Sequence, residues 1–219
     1  EEAITPQTSA ILATHVYGNP CDIDAIGDIA DRHGLRVIYD AAHGFGTELK
    51  GRSIFSFGDV SATSFHATKL FHTVEGGGVF CYSEELYERM NFMRNFGHHG
   101  PEKFAEVGIN GKNSEVHAAM GLVNLRYVEK ILDKRMHQSQ LYDNLLKGLD
   151  LTRPEIQPEA NYNFAYHAVI FPSEVVTLNV IAALNASDIY PRRYFYPPLH
   201  QLPYVMNTTS LEHVESISP

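Results

Sequence analysis

The stretch SAILATHVYGNPCDIDAIGDIADRHGLRVIYD, residues 9–40, decides the fold. Residues 9–17 are a short apolar run closed by Gly18-Asn19-Pro20, which predicts a buried strand. Asp22 or Asp24 can cap a helix over about 23–33. Its Ile23, Ile26, Ile29 and Ala30 fall on one face, and Gly34 suits the position just past its end. Residues 35–39 form a second strand that ends at Asp40. Strand, helix and strand in this order make a right-handed crossover, so the sheet is at least partly parallel and the class is α/β.

Downstream, glycines at 44, 46, 51 and 58 mark residues 44–58 as a loop. Residues 60–65 alternate and predict a strand, and Gly76-Gly77-Gly78 introduces another over 79–82. Ser83 is suited to cap a helix reaching about Asn95, with Glu84 and Glu85 favourable in its first turn. Residues 96–112 are irregular. Ser114 then caps a long helix to about Leu149, with an interruption expected near Asp133. The tail changes character: a polar tract with Pro154 and Pro158, a strand over 166–171, a helix over 174–186, and a Pro- and Tyr-rich segment over 190–204. This divides the chain into part of a large α/β domain, residues 1–130, and a smaller α+β domain, residues 131–219.

Composition narrows the function. The chain has 219 residues, with 17 Lys and Arg against 26 Asp and Glu, for a net charge of −9. That balance disfavours nucleic acid and anionic membranes as partners, because phosphate would repel it. Apolar runs are too short for a transmembrane helix, and no leader of the secretory type is expected. Two cysteines, Cys21 and Cys81, without a CxxC pair argue against a disulfide scaffold and fit the cytoplasm. The histidines His66, His72, His98, His99 and His117 match no ligand spacing, so no metal is expected. Met90, Met93, Phe92 and Phe96 at helical spacing read as a core or dimer stripe.

Three features carry chemistry. Asp40 stands at the carboxyl end of a strand, where ligands sit in open α/β sheets; position alone allows a ligand contact or a loop cap. Lys69 lies among Leu70, Phe71 and Thr73. Apolar surroundings lower a lysine's pKa and make its amine nucleophilic towards a carbonyl, although a lone lysine can equally be a surface residue. The glycines at 76–78 allow backbone to approach a ligand closely, or mark a turn. Asp40, placed 29 residues before Lys69, followed by the glycine run, is the layout a pyridoxal phosphate site requires. A carboxylate keeps the pyridine nitrogen protonated, a lysine attaches the aldehyde, and a serine hydroxyl with backbone amides holds the phosphate.

The residues that meet this requirement are His15-Val16-Tyr17-Gly18 with Pro20-Cys21-Asp22, then Val37-Ile38-Tyr39-Asp40-Ala41-Ala42-His43, then Ser64-Phe65-His66-Ala67-Thr68-Lys69 and Glu75-Gly76-Gly77. In this order they closely resemble the DegT/DnrJ/EryC1/StrS family of nucleotide-sugar aminotransferases. Weaker likeness continues through residues 93–97, 108–115 with Ala118-Ala119, and Tyr196-Pro197-Pro198-Leu199-His200.

The resemblance implies an aspartate-aminotransferase-like fold, fold type I of the pyridoxal phosphate transferases. Its large domain has a mixed, mostly parallel sheet, and a smaller C-terminal domain follows. It implies pyridoxal 5′-phosphate as cofactor, with Asp40 on the ring nitrogen, His43 near the ring, Ser64 on the phosphate and Lys69 as the Schiff-base lysine and proton shuttle. Asn110 matches an asparagine that reaches the cofactor phosphate of the neighbouring subunit, which implies a homodimer with a shared site. Tyr196 and His200 lie in a segment that borders the nucleotide-sugar pocket in relatives. Lys112 stands where the family usually has Arg. Relatives that dehydrate the sugar carry histidine in place of the lysine, so Lys69 favours transamination. The expected substrates are a dTDP-4-keto-6-deoxyhexose and L-glutamate. Relative to the family the chain reads as truncated at both ends, without the N-terminal part of the large domain. A catalytically inactive fragment serving as a structural or interaction module is therefore the alternative.

Overall fold

The computed structural model describes residues 1–203. Two compact units are formed, one by residues 1–147 with 155–168, the other by 148–154 with 169–203 of the described residues. The sequence-based division at residue 130 falls inside a helix of the first unit.

In the first unit, β1 (Ala10–Thr14), α1 (Ile23–His33) and β2 (Arg36–Asp40) form the expected crossover, with the two strands parallel from Ala10 beside Arg36 to Thr14 beside Asp40. Local chemistry sets both ends of α1. The Asp22 carboxylate accepts the Ala25 N–H at 3.0 Å, and Gly34 closes the helix at φ 63°. The core is the buried trio Ala30, Val37 and Tyr39, packed by Ile11, Ala13, Ile23, Ile26, Leu35 and Phe57. Apolar residues of α1 and of alternate strand positions meet there, and burial of this area is what holds helix to sheet. β1 ends earlier than predicted. His15 leaves the strand and Val16–Gly18 turn as a short 3-10 segment, with Tyr17 at φ 60°.

The sheet continues with β5 (Val60–Ser64), parallel to β2, and β6 (Gly77–Cys81), antiparallel to β5. Its order is β1-β2-β5-β6, mixed and mostly parallel as the sequence implied. Residues 44–58 are more ordered than their glycines suggested. β3 (Glu48–Leu49) and β4 (Arg52–Ser53) make a hairpin through Lys50 and Gly51, both at positive φ, the turn geometry that two-residue hairpins favour. β7 (Ala160–Asn161) pairs with β3 to complete a second, three-stranded sheet.

α2 (Glu84–Met93) starts at Ser83, whose hydroxyl accepts the Leu86 N–H. The expected long helix is two: α3 (Glu115–Leu125), capped by Ser114, and α4 (Val128–Leu145). The break comes at Arg126 and Tyr127, and α4 runs uninterrupted through Asp133. The last turn of α3 tightens, since Arg126 and Tyr127 donate to the carbonyls of Val123 and Asn124 three residues back. The Asn124 side chain also ties this turn to the His72 carbonyl at 2.8 Å.

The second unit contains α5 (Glu174–Asn185), capped by Ser173, and a 3-10 turn at Leu199–Gln201. The strand predicted over 166–171 does not form. Only Ile170 pairs, in a single bridge to Thr152, so alternation there lacks the neighbouring strand that a ladder needs.

Candidate active site

Parallel pairing sets Asp40 and Ser64 at the carboxyl ends of adjacent strands. Asp40 lies beside Ala62, and the Ala41 N–H donates to the Ala62 carbonyl at 2.7 Å. The Asp40 Oδ1 accepts the Ala42 N–H at 3.0 Å, and the carboxylate makes no ion pair among the described residues. After β5 the chain turns tightly. The Ser64 Oγ accepts the His66 N–H at 3.2 Å, the His66 Nδ1 accepts the Thr68 N–H, and the Lys69 N–H returns to the His66 carbonyl at 2.9 Å. This turn lifts Lys69, half-buried, at the same end of the sheet.

His43 joins the two sides. Its pKa is lowered from the ordinary histidine value by burial and by the Lys69 charge, and the Asp40 carboxylate opposes this. Its Nδ1 accepts the Tyr17 N–H at 3.0 Å. The ring lies near Tyr166, centroids 4.7 Å apart, and parallel to Tyr17 at 6.2 Å. His43 thus lies within electrostatic reach of Asp40 and Lys69, and Ser64 ends the strand next to that of Asp40.

His15 was quoted in the motif but given no task. It is fully buried and stacks on Tyr39, centroids 4.5 Å apart. Burial pushes its pKa down to about 4, against the pull of the Asp40 carboxylate. Its Nδ1 accepts the Cys21 N–H, so the neutral ring carries its proton on Nε2, a buried atom without a hydrogen-bond partner. Burial of Tyr39, together with Cys21, Asp22 and Asp24, raises the phenol to about 12. The sequence signal for His15 was its place at the end of an inward-facing alternation in β1.

The glycine run packs closely against β5. A Cβ on Gly77 would lie 2.7 Å from the Thr63 carbonyl, and the Gly76 carbonyl accepts the Phe65 N–H. These glycines let β6 close on β5.

Asn110 is exposed in a bridge to Asn95, and its Oδ1 accepts the Lys112 Nζ at 2.7 Å. Tyr196 belongs to the second unit, where the Arg193 guanidinium lies 3.4 Å from its ring centroid. His200 falls in the Leu199–Gln201 turn and its side chain is outside the described residues. Among the described residues no three His, Cys, Asp or Glu side chains form a metal site, and no helix is long and apolar enough to cross a membrane. An open cleft of about 970 Å³ lies over β5 and β6, lined by Phe55, Phe80, Tyr87, Met90 and Arg94 among others.

The mixed, mostly parallel α/β sheet is that of the fold type I pyridoxal phosphate transferases. The profile of the DegT/DnrJ/EryC1/StrS aminotransferase family matches residues 1–218, and the chain belongs to that family. It is 42% identical over 212 residues to a dTDP-4-amino-4,6-dideoxy-D-glucose transaminase of Shigella dysenteriae, covering 94% of this chain and 57% of that protein. The Escherichia coli protein of the same name is 35% identical over 93% of this chain and 56% of its own length. The crystal structure of DesI with its TDP-sugar product superposes with a TM-score of 0.89 at 34% identity, over 99% of this chain and 57% of that one. The chain therefore spans a little over half the length of these relatives.

Family members depend on pyridoxal 5′-phosphate. The donor set here fits that group. Asp40 offers a carboxylate without an ion-pair partner among the described residues, and the buried His15 Nε2 leaves an unpaired donor in the field of that carboxylate.

Proposed function

We propose that this chain contributes to transfer of an amino group from L-glutamate to the keto carbon of a dTDP-4-keto-6-deoxyhexose, in a cytoplasmic homodimer. The single observation that supports this best is the placement of Asp40 at the end of β2 and of the Ser64-to-Lys69 turn at the same end of the neighbouring parallel strand β5. Bound pyridoxal phosphate supplies an electron sink for the substrate's carbon–hydrogen bond.

The chain's own residues do the rest. The Asp40 carboxylate would pair with the protonated ring nitrogen. Lys69 Nζ would hold the cofactor aldehyde and serve as the proton-transferring amine. The Ser64 hydroxyl, whose oxygen already accepts from His66, keeps its hydrogen for a phosphate oxygen. By likeness to the family, Asn110 would serve the partner subunit's cofactor, and Tyr196 and His200 would belong to the segment that borders the nucleotide sugar. The substrate assignment rests on likeness to the dTDP-sugar transaminases, and the compartment on the free thiols Cys21 and Cys81.

A second reading, a non-catalytic interaction module, is favoured by the open cleft and by the exposure of Leu12, Val79 and Phe80. An absorbance spectrum with added pyridoxal phosphate separates the two. A band near the visible edge that is lost in Lys69→Ala supports the enzyme. Identical spectra for wild type and variant overturn it in favour of the module.

A further inference from the structure

The loop that carries His43 is held by a residue 120 positions downstream. Asn163 is completely buried and uses all its hydrogen-bonding capacity bar one lone pair. Its Nδ2 donates to the His43 carbonyl at 2.7 Å and to the Phe45 carbonyl at 2.9 Å, and its Oδ1 accepts the Ala165 N–H at 3.0 Å.

Facing this clamp is the turn after β1. A Cβ on Gly18 would stand 2.6 Å from the His43 carbonyl oxygen and 2.8 Å from the Asn163 amide, so loop, clamp and turn are in contact. Tyr17 sits at φ 60° with both peptide groups engaged. Its N–H goes to the His43 Nδ1, and its carbonyl accepts the Tyr162 hydroxyl at 2.9 Å. A backbone N–H can only donate, so Nδ1 must be the acceptor and the neutral His43 ring carries its proton on Nε2. That tautomer persists only while loop 43–45 stays in register with the Tyr17 amide, and Asn163 is the side chain that bonds both ends of this loop.

We propose that Asn163 is a positioning residue, which fixes the backbone of His43 so that its ring is presented beside Asp40 and Lys69 as a single neutral, Nε2-protonated donor. The assignment of that donor to the cofactor rests on the function proposed above; the clamp itself does not. A buried amide that merely satisfied two carbonyls would act on stability alone. A positioning amide acts on the state of one imidazole.

The test is a two-bond 1H–15N spectrum of His43 in the cofactor-free chain, for wild type, Asn163→Ala and the milder Asn163→Ser, which keeps one donor. Asp40, Lys69, Tyr17 and Tyr166 face His43, and all remain in these variants. The expected result is one tautomer in wild type. A mixture is expected in the variants, with the titration midpoint rising towards that of free histidine. Single-tautomer spectra in a folded Asn163→Ala chain overturn the proposal, and so does failure of Asn163→Ser to fold, because positioning predicts a folded chain.

Pyridoxal phosphate titration adds a second arm. Asn163→Ala should weaken cofactor binding about tenfold and have no further effect in a His43→Gln background. Equal losses in both backgrounds overturn the proposal. If wild type binds no cofactor, the function above fails while the tautomer result still decides this inference.

Discussion

The ring of His15 lies against that of Tyr39, centroids 4.5 Å apart and planes inclined by 21°, with both side chains buried. His15 follows β1 and Tyr39 precedes Asp40 on β2, and the His15 N–H donates to the Asp40 carbonyl at 2.9 Å. The stacked pair is therefore the inner wall on which the Asp40 backbone rests. Strand register, rather than any side-chain contact to Asp40, determines where the carboxylate emerges.

This wall is sensitive to acid. Folding lowers the His15 pKa to about 4 from an ordinary value near 6.5. The unfolded chain thus binds the proton first. The stabilisation is complete above pH 6.5 and is lost as pH falls towards 4, with a total on the order of 3 kcal/mol. Urea midpoints measured at pH 7, 5.5 and 4.5 should fall steeply for wild type. His15→Phe, which keeps an aromatic face for Tyr39, should start lower at pH 7 because the Cys21 N–H loses its acceptor, and should decline less with acid.

Two left-handed glycines should respond differently to a methyl group. At Gly18, φ is 87° and a Cβ meets the His43 carbonyl at 2.6 Å; at Gly34, φ is 63° and nothing lies within 4 Å. Gly34→Ala should cost about 1 kcal/mol, the conformational term alone. Gly18→Ala adds a backbone clash and should cost about 2–4 kcal/mol. Denaturation midpoints of the two variants check the difference, and equal costs would show that the 17–18 turn can move away from loop 43–45.

What the sequence disclosed follows range. α1 and β2 were legible because Asp22, Gly34 and the isoleucine spacing act within a few residues of one another. The strand ends at Asp40 and Ser64 were legible because an apolar run and an alternating stretch close there, and Lys69 follows in the turn after β5. β3 escaped notice because its partner β7 lies more than a hundred residues away, although Lys50-Gly51 was a usable hairpin signal. The strand expected over 166–171 failed for the converse reason, a local pattern without a neighbour to pair with. Asn163 gave no signal at all. It stands in a polar tract, and its burial is created by Gly18 and loop 43–45, which no spacing rule connects to it.

Asp59 pins the start of β2. Its Oδ2 accepts the Val37 N–H at 2.8 Å and its Oδ1 accepts from Arg36 at 2.7 Å. Burial by itself would raise this carboxyl, but the Val37 amide and Arg36 guanidinium outweigh it and lower the pKa. The carboxylate therefore stabilises the fold above its unfolded pKa and ceases to do so as pH falls through the folded one. Asp59→Asn can satisfy only one of the two donors and should cost about 1–2 kcal/mol at pH 7. Its stability should also lose part of the wild-type decline below pH 4, which a urea series at pH 7 and pH 3 would reveal.

Asp40→Asn separates the charge of that side chain from its shape. The amide oxygen can still accept the Ala42 N–H, so the loop after β2 should hold and thermal stability should change little. The field changes, however. The Asp40 charge favours the protonated forms of both His15 and His43, opposing burial in each case. Its removal should push both imidazole midpoints further down, a shift that 15N titration of the cofactor-free chain measures directly. If the proposed function holds, the variant with cofactor bound would also lack the charge that pairs with the ring nitrogen, and turnover should fall about 10²–10³-fold. The two readouts are linked by one cause. A large loss of turnover with unmoved imidazole midpoints would mean that Asp40 acts on the ring without sharing its field with the histidines. Lowered midpoints with unchanged turnover would mean that the carboxylate is a structural cap for the loop, and the site would have to be rebuilt around Lys69 alone.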